Sequence, residues 1–312
     1  MTEAQARAAL EWPHFKDGGQ WVAYRCENPE CPNPFRGVST VDAWKNGLRD
    51  CPNCGVGYTK IIQKRAAEYA VDHFLYVPWE KLYSQFVQPG DLVFDIGANV
   101  GSRTEIFRTM GARVISVEPH PECVEELRKR FVGDGAVTVV DSAISNYEGP
   151  ADLVSGESTA ISSISEEWIA AVRKTDRFHG HQWNKRYRVA ATTLDKVIEI
   201  YGTPVFVKID VEGFESAVML GLSTPVKALS FEFTPEGAES TRLCVKRLES
   251  IGDYKFCYSL KESLKLYPEW LSGHALLSEL RQIENEPLIY GDVYAQLQGE
   301  DMPSDPALRI PA

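Results

Sequence analysis

From Leu92 onward, short apolar runs alternate with stretches whose apolar residues recur every three or four positions. Leu92-Val93-Phe94-Asp95-Ile96 is continuous enough for a strand buried on both faces, and it follows the turn residues Gln88-Pro89-Gly90. Ser102 to Met110 then places Ile106, Phe107 and Met110 on one helical face, with Gly111 able to end the helix. The same periodicities predict a strand from Ala112 to Val117, a helix from Pro121 to Phe131 striped by Val124, Leu127 and Phe131, and a strand from Val137 to Val140. Downstream they predict strands at Val205–Ile209, Ala228–Phe233, Tyr254–Leu260 and Asp292–Leu297, with helices at Phe214–Leu220 and Ser240–Ile251. Repeated βα units with right-handed crossovers imply an α/β fold: a doubly wound, Rossmann-like sheet with helices on both faces.

Outside this core the pattern changes. Residues 1–62 carry several Pro and Gly, clustered cysteines and little periodicity, which predicts a small separate module with a boundary near Lys60. Residues 63–88 read as a helical linker or cap, with Ile62, Ala66, Tyr69, Ala70 and Phe74 at helical spacing and a break at Pro78 before a second short helix. The main domain is expected over 89–300 and a mobile tail over 301–312. Gly149 to Lys196 is a long insertion, expected at the ligand edge of the sheet.

The 312 residues are 44% hydrophobic and 25% charged, which fits a globular protein and excludes a fibrous or disordered one. No run reaches the roughly 18 apolar residues of a membrane span, and the first residues lack a signal-peptide pattern, so a cytoplasmic location and no membrane partner are expected. The net charge of −11 argues against broad phosphate neutralisation, which disfavours nucleic acid and leaves a small-molecule or saccharide acceptor as the expected partner, with a homo-oligomer open. Four of the seven cysteines lie close together: Cys26-x4-Cys31 and Cys51-Pro52-Asn53-Cys54, nineteen residues apart. Under reducing conditions this spacing predicts a zinc-ribbon-like module with one structural zinc; two disulfides and metal-free thiols are the alternatives. Cys123, Cys244 and Cys257 sit singly among apolar residues and read as buried packing thiols.

The strongest chemical signal is Asp95-x-Gly97-x-Asn99-x-Gly101, with Ala98 inside it, where the first core strand opens into a helix. Ligands of open α/β sheets bind at that edge. Gly97 permits a turn that a side chain would obstruct, and Gly101 is expected to let the next helix approach a ligand. A dinucleotide enzyme wants G-x-G-x-x-G there, with a helix N-terminus receiving a pyrophosphate. Asp95 would repel a pyrophosphate but favours S-adenosylmethionine, which carries an ammonium and a sulfonium. Glu118, followed by Pro119, ends the second strand where a carboxylate can accept both ribose hydroxyls, and Asp141-Ser142-Ala143 ends the third strand facing the adenine edge.

The ordered segments VFDIGANVGSRTEIF, VISVEPHP, VDSAIS, TTLDKVI, VKIDVEGFE and LSFEF resemble the FkbM family of methyltransferases over roughly Asp91 to Leu297. The resemblance implies a class I methyltransferase sheet whose final strand is antiparallel, and O-methylation of a sugar or natural-product hydroxyl. It places the family's first motif on Asp95, Gly97, Asn99 and Gly101, its ribose acid on Glu118, and its later signature on Lys208, Asp210, Glu212, Gly213 and Glu215. The cysteine module lies outside the common pattern.

Methyl transfer to a hydroxyl needs an in-line acceptor and a base. Asp210 and Glu212, leaving the fourth core strand, are the preferred candidates, joined by Lys208 on the same strand face and by Glu232 near the end of the fifth. A lysine in so apolar a run needs a partner, and a structural Lys208–Glu215 ion pair is the competing assignment. Arg177-Phe178-His179-Gly180-His181 raises a basic lid or a His-x-His metal pair, with a solvated loop or hairpin as the alternative. Three other functions stay open: methylation of RNA, protein or a carrier-bound intermediate recruited by the zinc module; nicotinamide-dependent oxidoreduction; and cofactor binding without turnover.

Overall fold

The computed structural model describes residues 21–26, 35–40, 58–61 and 77–299, excepting 157, 176, 179, 262–265, 268 and 284–287. The chain divides into two units, Met1–Leu82 and Tyr83–Ala312. In the first, β1 (Trp21–Cys26) pairs antiparallel with β2 (Phe35–Thr40) and β3 (Tyr58–Ile61). Ile61, near the predicted end of the module, ends β3. Cys26 ends β1; Cys31, Cys51, Cys54 and the predicted first linker helix lie outside the described residues. Pro78 stands in the first turn of α1 (Val77–Tyr83), the predicted second short helix, where no intrahelical N–H is lost.

The second unit is built on a seven-stranded sheet of order β12-β13-β11-β10-β4-β5-β6. Its strands are β4 (Leu92–Ile96), β5 (Arg113–Glu118), β6 (Val137–Asp141), β10 (Phe206–Ile209), β11 (Ala228–Phe233), β12 (Tyr254–Leu260) and β13 (Gly291–Leu297). All neighbours run parallel except β13, antiparallel to both β11 and β12, as the family resemblance implied. Central β10 is buried at all four positions, consistent with a parallel strand covered on both faces. Helix α2 (Ser102–Thr109) follows β4 and buries Ile106 and Phe107; α3 (Pro121–Arg130) follows β5 and buries Val124 and Leu127. Phe86 stacks on Phe206 and Tyr294 at ring distances of 5.2 and 5.7 Å, which holds the segment after α1 against the sheet.

The chain runs outward from β4 through β5 to β6 and then crosses back to β10. The order therefore reverses between β4 and β10, the crevice where such sheets bind ligands. Before that crossing, the chain builds structure that the periodicities did not predict. It forms a second three-stranded sheet of β7 (Ala143–Ser145), β9 (Lys185–Thr193) and β8 (Gly149–Ser155), with a 3₁₀ turn at Thr159–Ile161 and α4 (Glu166–Val172). In β9 only Ala191 is fully buried, and its surface charges mask the period-2 signal. Helix α5 (Leu194–Tyr201) leads from β9 toward β10, capped by Thr193, whose Oγ1 accepts from the Lys196 N–H at 3.1 Å. After β10 and β11 come α6 (Glu215–Leu220) and α7 (Ala238–Ile251). Helix α8 (Gly273–Ile283) also went unread, although Leu276 and Leu280 form a buried stripe. Cys123, Cys244 and Cys257 are buried free thiols, as expected. Among the described residues, no helix is long and apolar enough to cross a membrane.

Candidate active site at the strand switch point

Two loops meet where the strand order reverses. The first leaves β4 through Gly97, and an added Cβ there would lie 1.8 Å from the Asp210 carbonyl oxygen, so only glycine lets the loops touch. Gly97 and Ala98 both donate backbone N–H bonds to the Val117 carbonyl, at 2.9 and 3.1 Å, and Asn99 takes a left-handed φ of 49°. Gly101 also serves packing: its missing side chain makes room for Leu127 and Phe131 of the α3 segment, at 2.8 and 2.7 Å from a would-be Cβ.

Asp95 is fully buried beneath this loop. Its Oδ2 accepts from Thr104 Oγ1 at 2.7 Å, and that hydroxyl lies 2.8 Å from Ser116 Oγ. Its Oδ1 has no hydrogen-bond partner among the described residues. Such an orphan is costly unless a donor arrives. Burial raises the Asp95 pKa, with Lys208 the largest opposing influence. The acid thus lies under the turn rather than at its mouth, and the free oxygen fits an incoming N–H donor such as the ammonium group of S-adenosylmethionine.

Glu118 closes the loop from the other side. Its Oε2 accepts the Asn99 N–H at 2.8 Å and its Oε1 the His120 N–H at 2.7 Å. Each oxygen keeps a lone pair for a ribose hydroxyl. Burial pushes its pKa up to about 7, against those two backbone bonds. If only the ionised form accepts the ribose, S-adenosylhomocysteine should bind about tenfold more weakly at pH 6 than at pH 8. Calorimetric titration at the two pH values tests this, and a flat profile, or one that survives Glu118→Gln, would refute the assignment.

Half-buried Pro119 connects Glu118 to His120. The His120 Nδ1 caps α3 by accepting the Glu122 N–H at 3.3 Å, and its Nε2 lies 3.2 Å from Ser155 Oγ. Asp141 is exposed and paired with Arg128 at 3.3 Å on the α3 side. Ser142 is half-buried and Ala143 buried in the small sheet, paired with Ala191 of β9.

The second loop leaves β10. Lys208 is 6% exposed, and its Nζ lies 2.7 Å from Asp210 Oδ2. Glu215 makes no ion pair with it: Glu215 Oε1 accepts the N–H groups of Gly213 and Val211 at 3.1 and 3.4 Å, fastening the turn through its backbone. Carboxylate oxygens of Asp210, Glu212 and Glu232 lie within 4.8 Å of one another. Lys208 lowers the Asp210 pKa despite burial. Burial, then the neighbouring carboxylates, raises Glu212 and Glu232 well above the usual range.

The insertion roofs this cluster. Ser163 Oγ donates to the Glu212 carbonyl at 2.6 Å, and Gly213 has no side chain because the Trp168 ring occupies the place. Arg177 is held by Glu236 at 3.0 Å and by the Ile289 carbonyl at 2.7 Å, leaving its charge to act on Glu212. On β9, Lys185, Arg186 and Arg188 face Glu122, Glu166 and Asp152. His179, of the proposed His-x-His pair, lies outside the described residues. Ser163 and Trp168 carried no chemical signal in sequence, because their role depends on a fold-back across more than forty residues.

The methyltransferase FkbM domain model matches residues 95–251, half of the chain. No curated protein sequence matches. Solved structures similar to this chain include a precorrin-6y C5,15-methyltransferase from Geobacter metallireducens, at 12% identity over 71% of this chain and 87% of that one, with TM-score 0.37. Others are an O-methyltransferase from Thermotoga maritima (8%, 91% and 95%, 0.35) and a methyltransferase from Streptococcus mutans in complex with SAH (8%, 70% and 96%, 0.37). With the motif residues of that domain gathered at one strand switch point, the chain belongs to the FkbM family of S-adenosylmethionine-dependent methyltransferases.

Proposed function

We propose that this methyltransferase O-methylates a hydroxyl of a saccharide or secondary-metabolite acceptor. The observation that carries this reading is the convergence of Asp210, Glu212 and Glu232 beside the cofactor loop. A neutral hydroxyl is a poor nucleophile, and a carboxylate whose proton affinity is raised is a stronger general base than an ordinary one. S-adenosylmethionine, when bound, would supply an electrophilic methyl group for transfer to the acceptor oxygen. Asp95 and Glu118 would hold its ammonium and ribose. Asp210 stays ionised against Lys208 and orients the acceptor with Glu232, while Glu212 takes the hydroxyl proton.

Two experiments test the proposal. In thermal-shift assays S-adenosylhomocysteine should raise the midpoint and NAD should not. Labelled methyl should pass from the donor to a hydroxyl in a panel of saccharides and natural products. Transfer to RNA or protein instead would overturn the acceptor assignment.

We further propose that Cys26, Cys31, Cys51 and Cys54 hold one structural zinc. Their spacing and the antiparallel β1-β2-β3 sheet that Cys26 terminates support it. Elemental analysis of the purified chain should return about one zinc per molecule, and a metal-free, folded protein would refute it.

A further inference from the structure

Glu212 is one of four non-glycine residues with positive φ among the described residues, at 53°. Backbone of this kind persists where surrounding structure holds it. Its own element supplies little of that hold: Glu215 fastens the N–H groups of Val211 and Gly213 on either side and leaves the Glu212 carbonyl to another partner. That partner is Ser163, 49 residues earlier, at 2.6 Å.

Ser163 is unusually well fixed for a residue in an insertion. Its backbone makes a reciprocal pair with Val154 of β8, each N–H donating to the other's carbonyl at 2.9 Å. Its Oγ accepts the Ser165 N–H at 2.9 Å, so the hydroxyl proton is directed at the Glu212 carbonyl. The side of the turn next to Glu212 is closed by Trp168, packed where a Gly213 side chain would stand. Ser163 is 1% exposed, so water does not compete for the bond.

We propose that Ser163 is a positioning residue: by holding the Glu212 carbonyl it keeps that backbone left-handed and its carboxylate turned into the cluster with Asp210 and Glu232. The assignment rests on the reading of Glu212 as the base. It implies that the insertion sets the geometry of the proton acceptor as well as covering it.

The test reads the carboxylate directly and needs no acceptor. Protein labelled with ¹³C at glutamate carboxyls, saturated with S-adenosylhomocysteine, is titrated by NMR, with the Glu212 signal assigned by its loss in Glu212→Gln. Ser163→Ala should move the Glu212 titration by about one pH unit and leave S-adenosylhomocysteine affinity within twofold. Ser163→Thr, which keeps the hydroxyl, should restore it. Ser162→Ala removes a neighbouring hydroxyl that bonds Ser155 at 2.8 Å, and it should move nothing. An unchanged Glu212 titration in Ser163→Ala would overturn the proposal, as would a shift equally large in Ser162→Ala. If Ser163→Ala fails to fold, Ser163→Cys takes its place and should likewise move the Glu212 titration, an unchanged titration overturning the proposal. Failure of Glu212 as base would appear separately, as full turnover by Glu212→Gln.

Discussion

Replacing Gly97 with alanine is expected to weaken S-adenosylhomocysteine binding at least about a hundredfold, the order of loss caused by a 1 Å displacement in a preorganised site. The new methyl would stand 1.8 Å from the Asp210 carbonyl oxygen and 2.9 Å from its carbon. Both partners are backbone, so neither can swing aside as a side chain would. Either the β4 loop retreats from Glu118 and Asp95, or the β10 turn is pushed away and carries Asp210 and Glu212 with it. A conformational cost alone does not explain such a loss, and a control separates the two effects. Gly90 has φ +91° with nothing within 4 Å of a would-be Cβ, so Gly90→Ala bears only the left-handed strain, about 1–2 kcal/mol. Calorimetric titration should find near-normal affinity in Gly90→Ala and none measurable in Gly97→Ala. Binding within twofold of the parent by Gly97→Ala would show that the two loops do not depend on contact there.

Glu212→Gln should lower turnover by about 10²–10⁴-fold, the usual contribution of a positioned base, with S-adenosylhomocysteine affinity retained. The amide keeps the shape but accepts no proton. In the parent, burial and then the Asp210 and Glu215 charges raise the Glu212 pKa. Since the base acts when ionised, turnover should fall as pH drops below that raised value, and the substituted enzyme should lack this acid limb. Stability should change in the opposite sense. A carboxyl whose native pKa exceeds its unfolded value binds its proton more tightly when folded. Its contribution is therefore full at low pH and is lost as pH rises through the native value. Glu212→Gln escapes that loss, so its melting temperature at pH 8 should exceed the parent's. A less stable variant at pH 8, or one with unchanged turnover, would count against Glu212 as a strained, proton-accepting group.

The cofactor half of the site was legible in sequence because it is local. Asp95 to Gly101 lie within seven residues, and Glu118 reaches them because adjacent parallel strands bring successive strand ends side by side. The reason for each residue was less legible. Gly101 also makes room for Leu127 and Phe131, and Asp95 lies under the loop rather than open to its mouth, since neither the neighbour across a glycine nor the depth of an acid is encoded in spacing. Lys208 had to have a partner, but whether Asp210 or Glu215 provided it depended on the course of one turn.

The insertion was least legible. β9 shows its inward Ala191 among surface arginines and lysines, each of which reads as solvated until its acidic partner is found on another element. What the sequence by itself determined is the doubly wound sheet, its order of elements and the chemical type of its cofactor loop, because hydrophobic period and glycine placement act over a few residues. What only the tertiary structure decided is which carboxylates meet and what holds them. The Gly97–Asp210 contact, the Asp210–Glu212–Glu232 cluster and the Ser163 hold on Glu212 each join segments far apart in the chain, and only close packing brings such groups within a hydrogen bond of one another.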